Sequence, residues 1–405
     1  MQAFSFPLFS NTNPQCGAVF CLEIPITMTN LNNLYIIILA GGKGRRLWPA
    51  SRRDKPKQFI DFFGTGETLL QTAAHRAAKV VGEDHILVVC NEQYTDLVKE
   101  QLQWLSESHI LAEPVHRNTG PASAWAVHRV MIESGDDAVV ALMPADQIIL
   151  HEDRFHAAME VGGRFVSAND SVLIMGATPS RTEPGYGYIQ VASTELSDGK
   201  QIAMSENGGA TSQQHLFPVK SFIEKPDRDM AKMLIESGEF LWNTGIYMAR
   251  VGYFRSEMKK LLPVVLRDVR GDVEEEKSFI RDNYARYPNL SLDHAVLEKM
   301  SNRTVMHSDF GWADIGTWHG IYEAIHHDSN DNVMVNAGAK LIAENSSNNV
   351  IFAESGKLVV MSGMEGYIVA EKDNVLFICP KQDSSAMVRR YLGKIENEDD
   401  MERYY

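Results

Sequence analysis

The chain has 405 residues, of which 44% are hydrophobic and 23% are charged, and its formal net charge at pH 7 is -14. This length accommodates one large domain and a smaller one, and the composition is that of a globular protein. The acidic balance excludes general nucleic-acid binding, because no basic excess is present to neutralise a phosphate backbone. No apolar run approaches the ~20 residues that a membrane-spanning helix needs, so we expect no membrane partner.

The first thirty residues differ in character from the rest of the chain. Residues 1–30 contain neither Lys nor Arg, so they lack the basic segment of a secretory signal. We predict a disordered extension with Met28 as a candidate start, and a cytoplasmic protein. The four cysteines, Cys16, Cys21, Cys90 and Cys379, are scattered and form no metal-binding pattern. Cys90 and Cys379 each end an apolar run, which is typical of a buried thiol.

The first apolar run, Leu34–Leu39, predicts a buried strand, and a glycine-rich basic loop follows it. Glycine lets the backbone approach a ligand closely and turn its N–H groups toward phosphate oxygens. Glycine in a strand-to-helix turn also has a purely structural use, and the spacing here matches neither the P-loop nor the dinucleotide fingerprint. The basic side chains favour a phosphate-binding loop over a purely structural turn, because they add positive charge where a polyphosphate would lie. Together, the glycines and the basic residues favour a site for nucleotide phosphates. They are Gly41, Gly42, Gly44, Arg45, Arg46 and Lys57.

From residue 34 to about residue 250, short apolar runs alternate with helical patterns. The alternation predicts a mainly parallel sheet with helices on both faces. In such sheets ligands bind beyond the carboxyl ends of the strands, where the glycine loop and Asp146 both fall. The predicted strands are 35–39, 86–90, 110–112, 138–143 and 172–176, and the predicted helices are 68–81, 94–105, 121–134 and 154–165.

Residues 180–325 follow a less regular pattern. A turn at Gly185–Gly187 leads into a strand, and the polar, Gly- and Ser-rich stretch after it is typical of a flexible loop. The predicted elements are a loop over 193–215, strands over 219–223 and 240–248, and a helix over 291–300.

Beyond residue 330, short β runs recur at close spacing and are separated by Asn, Gly and Ser. This pattern predicts an all-β part, either a small barrel or a short β-helix, followed by an acidic end from Ile395 that frays. We therefore expect a disordered extension over 1–30, an α/β domain over 31–328, and a β domain with an acidic tail over 329–405. The runs are 333–335, 341–343, 350–353, 358–361, 367–370 and 375–379.

Two aspartates from distant parts of the chain are candidates for one metal site. Asp146 directly follows a predicted strand, and Asp314 lies among glycines and tryptophans in Gly311–Trp318. Two carboxylates can share one Mg²⁺ with phosphate oxygens and waters. For a lone aspartate a helix cap or a surface acid is the commoner role, so the metal interpretation depends on both residues lying in one pocket.

Two further polar residues allow two interpretations each. Lys225 follows a predicted strand, where it would form either a surface ion pair or a phosphate contact. Asn243 lies inside an apolar strand, and a buried amide needs hydrogen-bond partners. Those partners would be either protein backbone or a sugar hydroxyl.

The ordered set of these motifs resembles the mannose-1-phosphate guanylyltransferase family of sugar nucleotidyltransferases. Each matching segment is of modest specificity, whereas the ordered set is highly specific. The resemblance implies a Rossmann-like nucleotidyltransferase domain with a short β-helix-like C-terminal part. It also implies Mg²⁺-dependent transfer of GMP from GTP to mannose 1-phosphate, giving GDP-mannose and pyrophosphate. The segments are 39–49, 56–59, 117–122, 143–147, 185–190, 222–226, 242–247, 291–299 and 311–318.

The resemblance implies roles for individual residues. Arg46 and Lys57 would act on the reacting phosphates, and Asp146 and Asp314 would hold Mg²⁺. The nucleotide would contact Leu39, Ala40, Gly41, Gly42, Gly44, Arg45, Asn118, Thr119, Pro121 and Ala122. The sugar phosphate would contact Gly187, Glu224, Lys225, Asn243 and Asp293.

The chain departs from the resembled family at Arg45, where a small hydroxyl side chain is usual, so we expect the loop contacts to differ there.

Two other functions stay open. One is transfer with another sugar 1-phosphate or another base. The other is a non-catalytic regulatory subunit that binds a nucleotide sugar, which the full set of phosphate and metal ligands disfavours. The β part is a candidate surface for a homodimer.

Overall fold

A computed structural model describes residues 33–191, 201–204, 212–262, 271–336, 338–382, 384–398 and 401–404. The predicted N-terminal extension, with Cys16 and Cys21, lies outside these residues. Within them, Cys90 and Cys379 are buried free thiols, as predicted. None of the helices in the described ranges combines the length and the apolar character that crossing a bilayer requires.

The first half of the larger domain alternates strands with helices, as predicted. Helix α2 ends four residues before the predicted end, because Leu102 leaves helical geometry with φ −120° and ψ 62°. The elements are β1 (Leu34–Leu39), α1 (Leu69–Val81), β2 (Ile86–Asn91), α2 (Thr95–Gln101), β3 (Ile110–Glu113), α3 (Thr119–Ser134), β4 (Val139–Pro144), β5 (Gln147–Ile149), α4 (Glu152–Ala168) and β6 (Val172–Ala177).

The second half contains more antiparallel structure. The predicted loop over 193–215 is wrong at 201–204 and 212–215, which pair through backbone hydrogen bonds that a polar composition does not reveal. The predicted helix over 291–300 contains a π-helical segment at Asp293–Leu297. The elements are β7 (Gly187–Val191), β8 (Gln201–Met204), β9 (Ser212–Glu224), α5 (Arg228–Ser237), β10 (Phe240–Arg250), α6 (Val251–Leu261), α7 (Val273–Asn283), β11 (Arg303–His307), β12 (Trp312–Asp314) and α8 (Trp318–Ala324).

The central sheet has ten strands in the order β3-β2-β1-β4-β10-β6-β11-β9-β7, with β8 paired to β9. Strands β3, β2, β1 and β4 are parallel neighbours, and so are β6 and β11. Strand β10 lies antiparallel between β4 and β6, and β9 is antiparallel to β11 and β7. The prediction of a mainly parallel sheet therefore holds for the half that carries the glycine loop, whereas the other half is mixed.

Two hydrophobic cores cover the two faces of this sheet. Along β1, Leu34, Ile36 and Ile38 pack against α1 and α4, whereas Tyr35 and Ile37 pack against α3 and α6. Burial on both faces explains why β1 is a continuous apolar run rather than an alternating one.

The C-terminal part coils between two small sheets whose strands are parallel except for the last one, which identifies a short β-helix rather than a barrel. Strands β13, β15 and β17 are parallel neighbours in one sheet, and β14 and β16 are parallel neighbours in the other. The strands are β13 (Val333–Met334), β14 (Lys340–Glu344), β15 (Val350–Phe352), β16 (Leu358–Ser362), β17 (Tyr367–Lys372) and β18 (Val375–Pro380).

Buried asparagines link successive turns of this β-helix. The Asn349 side chain is fully buried, and its Nδ2 donates to Oδ1 of Asn332 at 2.9 Å and to the carbonyl of Met364 at 2.9 Å. Its Oδ1 accepts from the backbone N–H of Tyr367 at 2.8 Å. Each turn is therefore tied to the next by side-chain hydrogen bonds in addition to the strand ladder.

The all-β prediction for this part is wrong in one respect, because helix α9 (Ser384–Ile395) follows β18. The end predicted to fray includes a 3₁₀ turn at Glu402–Tyr404, whose Tyr404 carbonyl accepts a hydrogen bond from Nε1 of Trp48 at 2.7 Å. A shared hydrophobic core joins the two parts of the chain and includes Trp48, Phe62, Trp318, Phe352, Phe377 and Leu392.

Candidate active site

The carboxyl ends of the parallel strands bring the glycine loop, Glu113 and Asp146 to one edge of the sheet. The loop follows β1, Glu113 is the last residue of β3, and Asp146 follows β4. The loop is tied to its neighbours, because Ala40 N–H donates to the Val89 carbonyl at 2.7 Å and the Leu39 carbonyl accepts from Ala145 N–H at 3.1 Å. The glycine loop and Asp146 therefore lie at the strand ends where the sequence places them, whereas Glu113 is not predicted there.

Gln58 fixes the shape of the glycine loop. Its buried side chain donates from Nε2 to the carbonyl of Ala40 at 2.6 Å and to the carbonyl of Gly42 at 2.9 Å. Gly44 has φ 61°, and a Cβ there would collide with Oγ of Ser51. Glycine is therefore required at position 44 by both the backbone angle and the space.

A two-stranded ribbon brings the two candidate metal ligands together. Strands β5 and β12 are antiparallel, with Asp314 opposite Gln147. The Ile315 N–H donates to the Asp146 carbonyl at 3.1 Å, which closes the ribbon beside Asp146. Two carboxylates that are far apart in sequence thus meet at one end of a local hairpin-like pair.

Lys57 balances the charge of this carboxylate pair. Its Nζ lies 2.5 Å from Oδ2 of Asp146 and donates to the carbonyl of Ile315 at 2.9 Å, and the side chain is buried. Burial raises the pKa of Asp314, and the Asp146 charge adds to that effect, while Lys57 and Arg46 oppose it. The pair therefore presents negative charge that only nearby cations offset.

Arg46 lies against the same carboxylates. A Cβ at Gly316 would lie 2.9 Å from Nη2 of Arg46 and would collide with Asp314. A Cβ at Gly185 would lie 3.9 Å from Nη1 of Arg46. The absence of side chains at these two glycines gives the guanidinium room beside the pair. Lys57 thus lies beside Asp146 and Arg46 beside Asp314, and their role on the reacting phosphates stays a prediction.

The donor set at this position suits a hard cation. Two carboxylates offer oxygen ligands, and Mg²⁺ is typically held by one or two carboxylates together with phosphate oxygens and waters. Within the described ranges, no group of three or more His, Cys, Asp or Glu side chains could hold a metal by itself. The arrangement therefore fits a metal that arrives with a phosphate ligand, and it does not resemble a closed structural site.

The residues assigned to the sugar phosphate form a second cluster. Asn243 donates from Nδ2 to Oδ1 of Asp293 at 2.9 Å and to the Tyr247 hydroxyl at 2.7 Å, and Tyr247 also donates to Asp293. Gly187 lies opposite Glu224 in the β7–β9 pair. A bulge in β10 after Asn243 allows its side chain to turn toward Asp293.

One oxygen in this second cluster is left without a partner. Oε2 of Glu224 is buried and has no hydrogen-bond partner among the described residues. Burial and the neighbouring Asp293 raise the pKa of Glu224, against the opposing effect of Lys225. An unpaired buried carboxylate oxygen is costly, so the cluster is suited to a ligand that donates a hydrogen bond, such as a hydroxyl.

The segment assigned to the base caps helix α3. Asn118 has φ 67°, and its side chain accepts from Thr119 N–H at 2.9 Å, while the Thr119 hydroxyl accepts from Leu292 N–H at 2.8 Å. Pro121 and Ala122 are buried in the first turn of the helix. The contact with Leu292 places this cap directly beside Asp293 of the second cluster.

Two predicted ligands form ion pairs with carboxylates of the protein. Arg45 pairs with Glu396 beyond helix α9 at 2.8 Å, and Lys225, which is 60% exposed, pairs with Glu224. A cavity of about 310 Å³ adjoins the glycine loop on this side and is lined by basic groups and others, among them Lys43, Arg45, Arg52, Arg53 and His116. The unusual cation at position 45 thus contacts the C-terminal part of the chain.

Sequence reasoning missed three residues of the site. Gln58 shapes the loop, Tyr247 bridges to Asp293, and Glu113 lies 2.8 Å from the position that a Cβ would take at Gly41. Glu113 ends a predicted apolar strand at the same edge as the glycine loop, and that placement is the signal that could have identified it.

Comparisons with known proteins identify the family of the chain. A family model described as Nucleotidyl transferase matches residues 35–331. The mannose-1-phosphate guanylyltransferase of Escherichia coli is 35% identical over 306 residues, which cover 74% of this chain and 61% of that protein. The mannose-1-phosphate guanylyltransferase of Salmonella montevideo is 33% identical over 348 residues, covering 84% and 69%.

A solved structure shares the fold. The mannose-1-phosphate geranyltransferase of Thermus thermophilus superposes with a TM-score of 0.76 at 24% identity, covering 90% of this chain and 99% of that chain. At this identity the likeness supports the fold alone. The chain spans only 61% of the length of the Escherichia coli relative. The family match nevertheless covers most of the chain and every cluster described above, and the chain therefore belongs to the Nucleotidyl transferase family.

Proposed function

We propose that the protein transfers GMP from GTP to mannose 1-phosphate, with release of pyrophosphate. The observation that carries this proposal is the group formed by Lys57, Arg46, Asp146 and Asp314 beside the glycine loop. The names of the relatives supply the substrates, and the second cluster at Glu224 and Asn243 supplies hydrogen-bonding groups of the kind a hexose needs.

The chemistry requires little proton transfer. A sugar phosphate is already an anionic nucleophile, so the main obstacle is the approach of two polyanions and their alignment at the α-phosphorus. Lys57 and Arg46 lie where they would neutralise phosphate charge, and hydrogen bonds from Gln58 engage the carbonyl groups of Ala40 and Gly42 in the glycine loop. Asp146 and Asp314 would hold Mg²⁺, which supplies further charge neutralisation when bound.

The first test is pyrophosphate release with Mg²⁺, GTP and mannose 1-phosphate, beside reactions with ATP, UTP, dTTP and glucose 1-phosphate. Release confined to GTP and mannose 1-phosphate supports the proposal. Release with another pair would retain the enzyme class and replace the substrate. Binding of a nucleotide sugar without any release would favour the regulatory subunit.

Substitution of either carboxylate tests the metal assignment. Asp146→Asn and Asp314→Asn should each lower kcat by about a hundredfold or more, because one oxygen ligand loses its charge while the volume is kept. Asp309→Asn is a matched control, because that carboxylate is 66% exposed and pairs with Arg154. Near-normal turnover in either site variant, with unchanged melting temperature, would contradict the assignment.

Oligomeric state and location stay predictions. The apolar side chains of Ile342, Leu358 and Val360 are about half exposed or more on β14 and β16, as expected of a homodimer contact in the β part. Light scattering of the full chain and of a Val360→Asp variant would test the homodimer. Fractionation of the source cells would test the cytoplasmic location.

A further inference from the structure

The end of the chain lies against the glycine loop and the residues that follow it. Nη2 of Arg45, in the loop, lies 2.8 Å from Oε1 of Glu396, which directly follows α9. The Tyr404 carbonyl accepts a hydrogen bond from Nε1 of Trp48 at 2.7 Å. The C-terminal segment is therefore held beside the loop by a hydrogen bond as well as by this ion pair.

The cavity of about 310 Å³ between this segment and the loop is lined mainly by positive charge. Its volume lies at the lower end of the range of small-molecule sites, ~300–1,000 Å³. Among the described residues that line it, Glu396 is the one acid. Burial and the charge of Lys43 lower the pKa of His116, which also lines the cavity. The lining therefore suits an anion, and its cations are Lys43, Arg45, Arg52 and Arg53.

The pair of Arg45 with Glu396 is of a kind that a ligand can displace. Its two side chains are 42% and 39% exposed. An ion pair in contact with water adds little stability, because solvent screens it and two long side chains must be ordered. Phosphate groups compete well for a guanidinium, because two N–H groups can bond to one phosphate in parallel. Arg45 therefore has a second partner available whenever a polyphosphate reaches the loop.

We propose that Glu396 is an intramolecular competitor of the polyphosphate ligand. It pairs with Arg45 when no polyphosphate is bound and gives Arg45 up when one binds, so the C-terminal segment lowers the affinity of the loop. The exchange is non-covalent: the guanidinium leaves a carboxylate oxygen and takes phosphate oxygens, while Glu396 turns to water. The inference rests on the proposed function for the position of the phosphates, and it adds a control on that site from the C-terminal part.

The experiment measures binding of inorganic tripolyphosphate to the full chain by calorimetry, without turnover. Glu396→Gln removes the charge and keeps the size of the side chain, and we expect the Kd to fall by about two- to fivefold. Glu398→Gln is the matched control, because it removes the same charge from an exposed residue of the same segment that does not line the cavity. It should leave the Kd nearly unchanged at ~0.15 M ionic strength, where screening acts over ~8 Å.

Arg45→Ser separates competition for Arg45 from a general effect of charge. In that background Glu396→Gln should no longer lower the Kd, because there is no guanidinium to release. An equal fall in both backgrounds would contradict the inference, since the carboxylate would then act only by repulsion at a distance. An unchanged or higher Kd in Glu396→Gln alone, or no tripolyphosphate binding by either protein, would also overturn it.

Turnover shows which polyphosphate the segment competes with. In Glu396→Gln the KM for GTP, and in the reverse direction with GDP-mannose the KM for pyrophosphate, should each fall by about two- to fivefold. We expect kcat to change less than KM, because Lys57 and Arg46 rather than Arg45 lie beside the carboxylate pair. A fall in one KM alone supports the inference and identifies that ligand, whereas no fall in either contradicts it.

Failure of this inference can be distinguished from failure of the proposed function. If the wild-type protein releases no pyrophosphate with any pair, the proposed function fails, and the tripolyphosphate titration still tests the competition. If turnover occurs and the Kd is the same in wild type and Glu396→Gln, the proposed function stands and the inference fails. Both members of the pair are exposed, so we expect Glu396→Gln to fold normally, which its melting temperature checks.

Discussion

The ammonium nitrogen of Lys57 lies 2.5 Å from Oδ2 of Asp146. It also donates a hydrogen bond to the carbonyl of Ile315, the residue that follows β12. It therefore links the glycine-loop side of the site to the carboxylate ribbon. Without a nearby cation, Asp146 and Asp314 would repel each other and one would retain its proton. At the scale of single residues, Lys57 places positive charge beside the two carboxylates and opposes the effect of burial on the pKa of Asp314.

Glu113 supports a stability prediction at the same scale. The folded carboxyl keeps its proton up to a pKa of about 7, whereas its ordinary pKa is 4.5. The folded state thus binds more protons between these values, so the free energy of unfolding falls as the pH rises through this window, by about 3 kcal/mol in total. Glu113→Gln, which cannot titrate, should gain about that much stability relative to wild type between pH 4.5 and pH 8.

Urea unfolding of both proteins at pH 4.5 and pH 8 measures this difference. The Glu107→Gln control should show the same pH dependence as wild type, because its carboxylate is 77% exposed. A pH-independent difference between Glu113→Gln and wild type would contradict the raised pKa of Glu113.

Individual site residues are predictable where the chain places them at strand ends. Asp146 and the glycine loop follow apolar runs directly, so the parallel-sheet rule locates them. Gln58 and Tyr247 are not predictable, because their roles depend on contacts with backbone and side chains that are remote in sequence. The pairing of Arg45 with Glu396 escapes sequence reasoning for the same reason.

At the scale of elements, the asparagine ladder of the β-helix is open to a direct test. Asn349→Ala would leave the Tyr367 N–H without its partner in a buried setting. Asn332 Oδ1 and the Met364 carbonyl would each lose one hydrogen bond and keep only the backbone N–H of residue 349 and of Ser347. We expect a loss of about 2–4 kcal/mol in the free energy of unfolding, measured by urea titration. Asn330→Ala, at an exposed position of the same part, should change it by less than about 0.5 kcal/mol.

The strands of the C-terminal part are more predictable than its helix. Each β run carries its own apolar signal, which the observed strands reproduce within a few residues. Helix α9 gives a weak signal because only Ser384, Val388 and Leu392 are buried in it, and its exposed face resembles a polar tail. The β8–β9 pair resembles a loop in sequence because its cohesion comes from backbone hydrogen bonds.

At the scale of the whole molecule, the shared core joins the β-helix to the segment after the glycine loop. The ring centroid of Phe352 lies 5.7 Å from that of Trp318 and 6.0 Å from that of Phe62. We therefore expect the two parts to unfold in one transition, and Phe352→Ala to lower the free energy of unfolding by about 3–5 kcal/mol.

Coincidence of the transitions followed by tryptophan fluorescence and by far-ultraviolet circular dichroism measures this coupling. Leu376→Ala is the control, because its side chain is 64% exposed on β18 and should leave the midpoint nearly unchanged. Two separated transitions in the wild-type protein would show that the β-helix folds independently of the larger domain.

The hydrogen bonds from Gln58 to two carbonyls of the glycine loop affect the conformational entropy that the loop would lose on binding an anion. A loop whose peptide planes are already oriented by the folded protein loses little conformational freedom when an anion arrives. The ordering of those peptide groups, about 1–2 kcal/mol for each residue, is then completed during folding. The orientation of these peptide groups is in this sense set in advance by the Gln58 amide, and the proposed phosphate contact would depend on it.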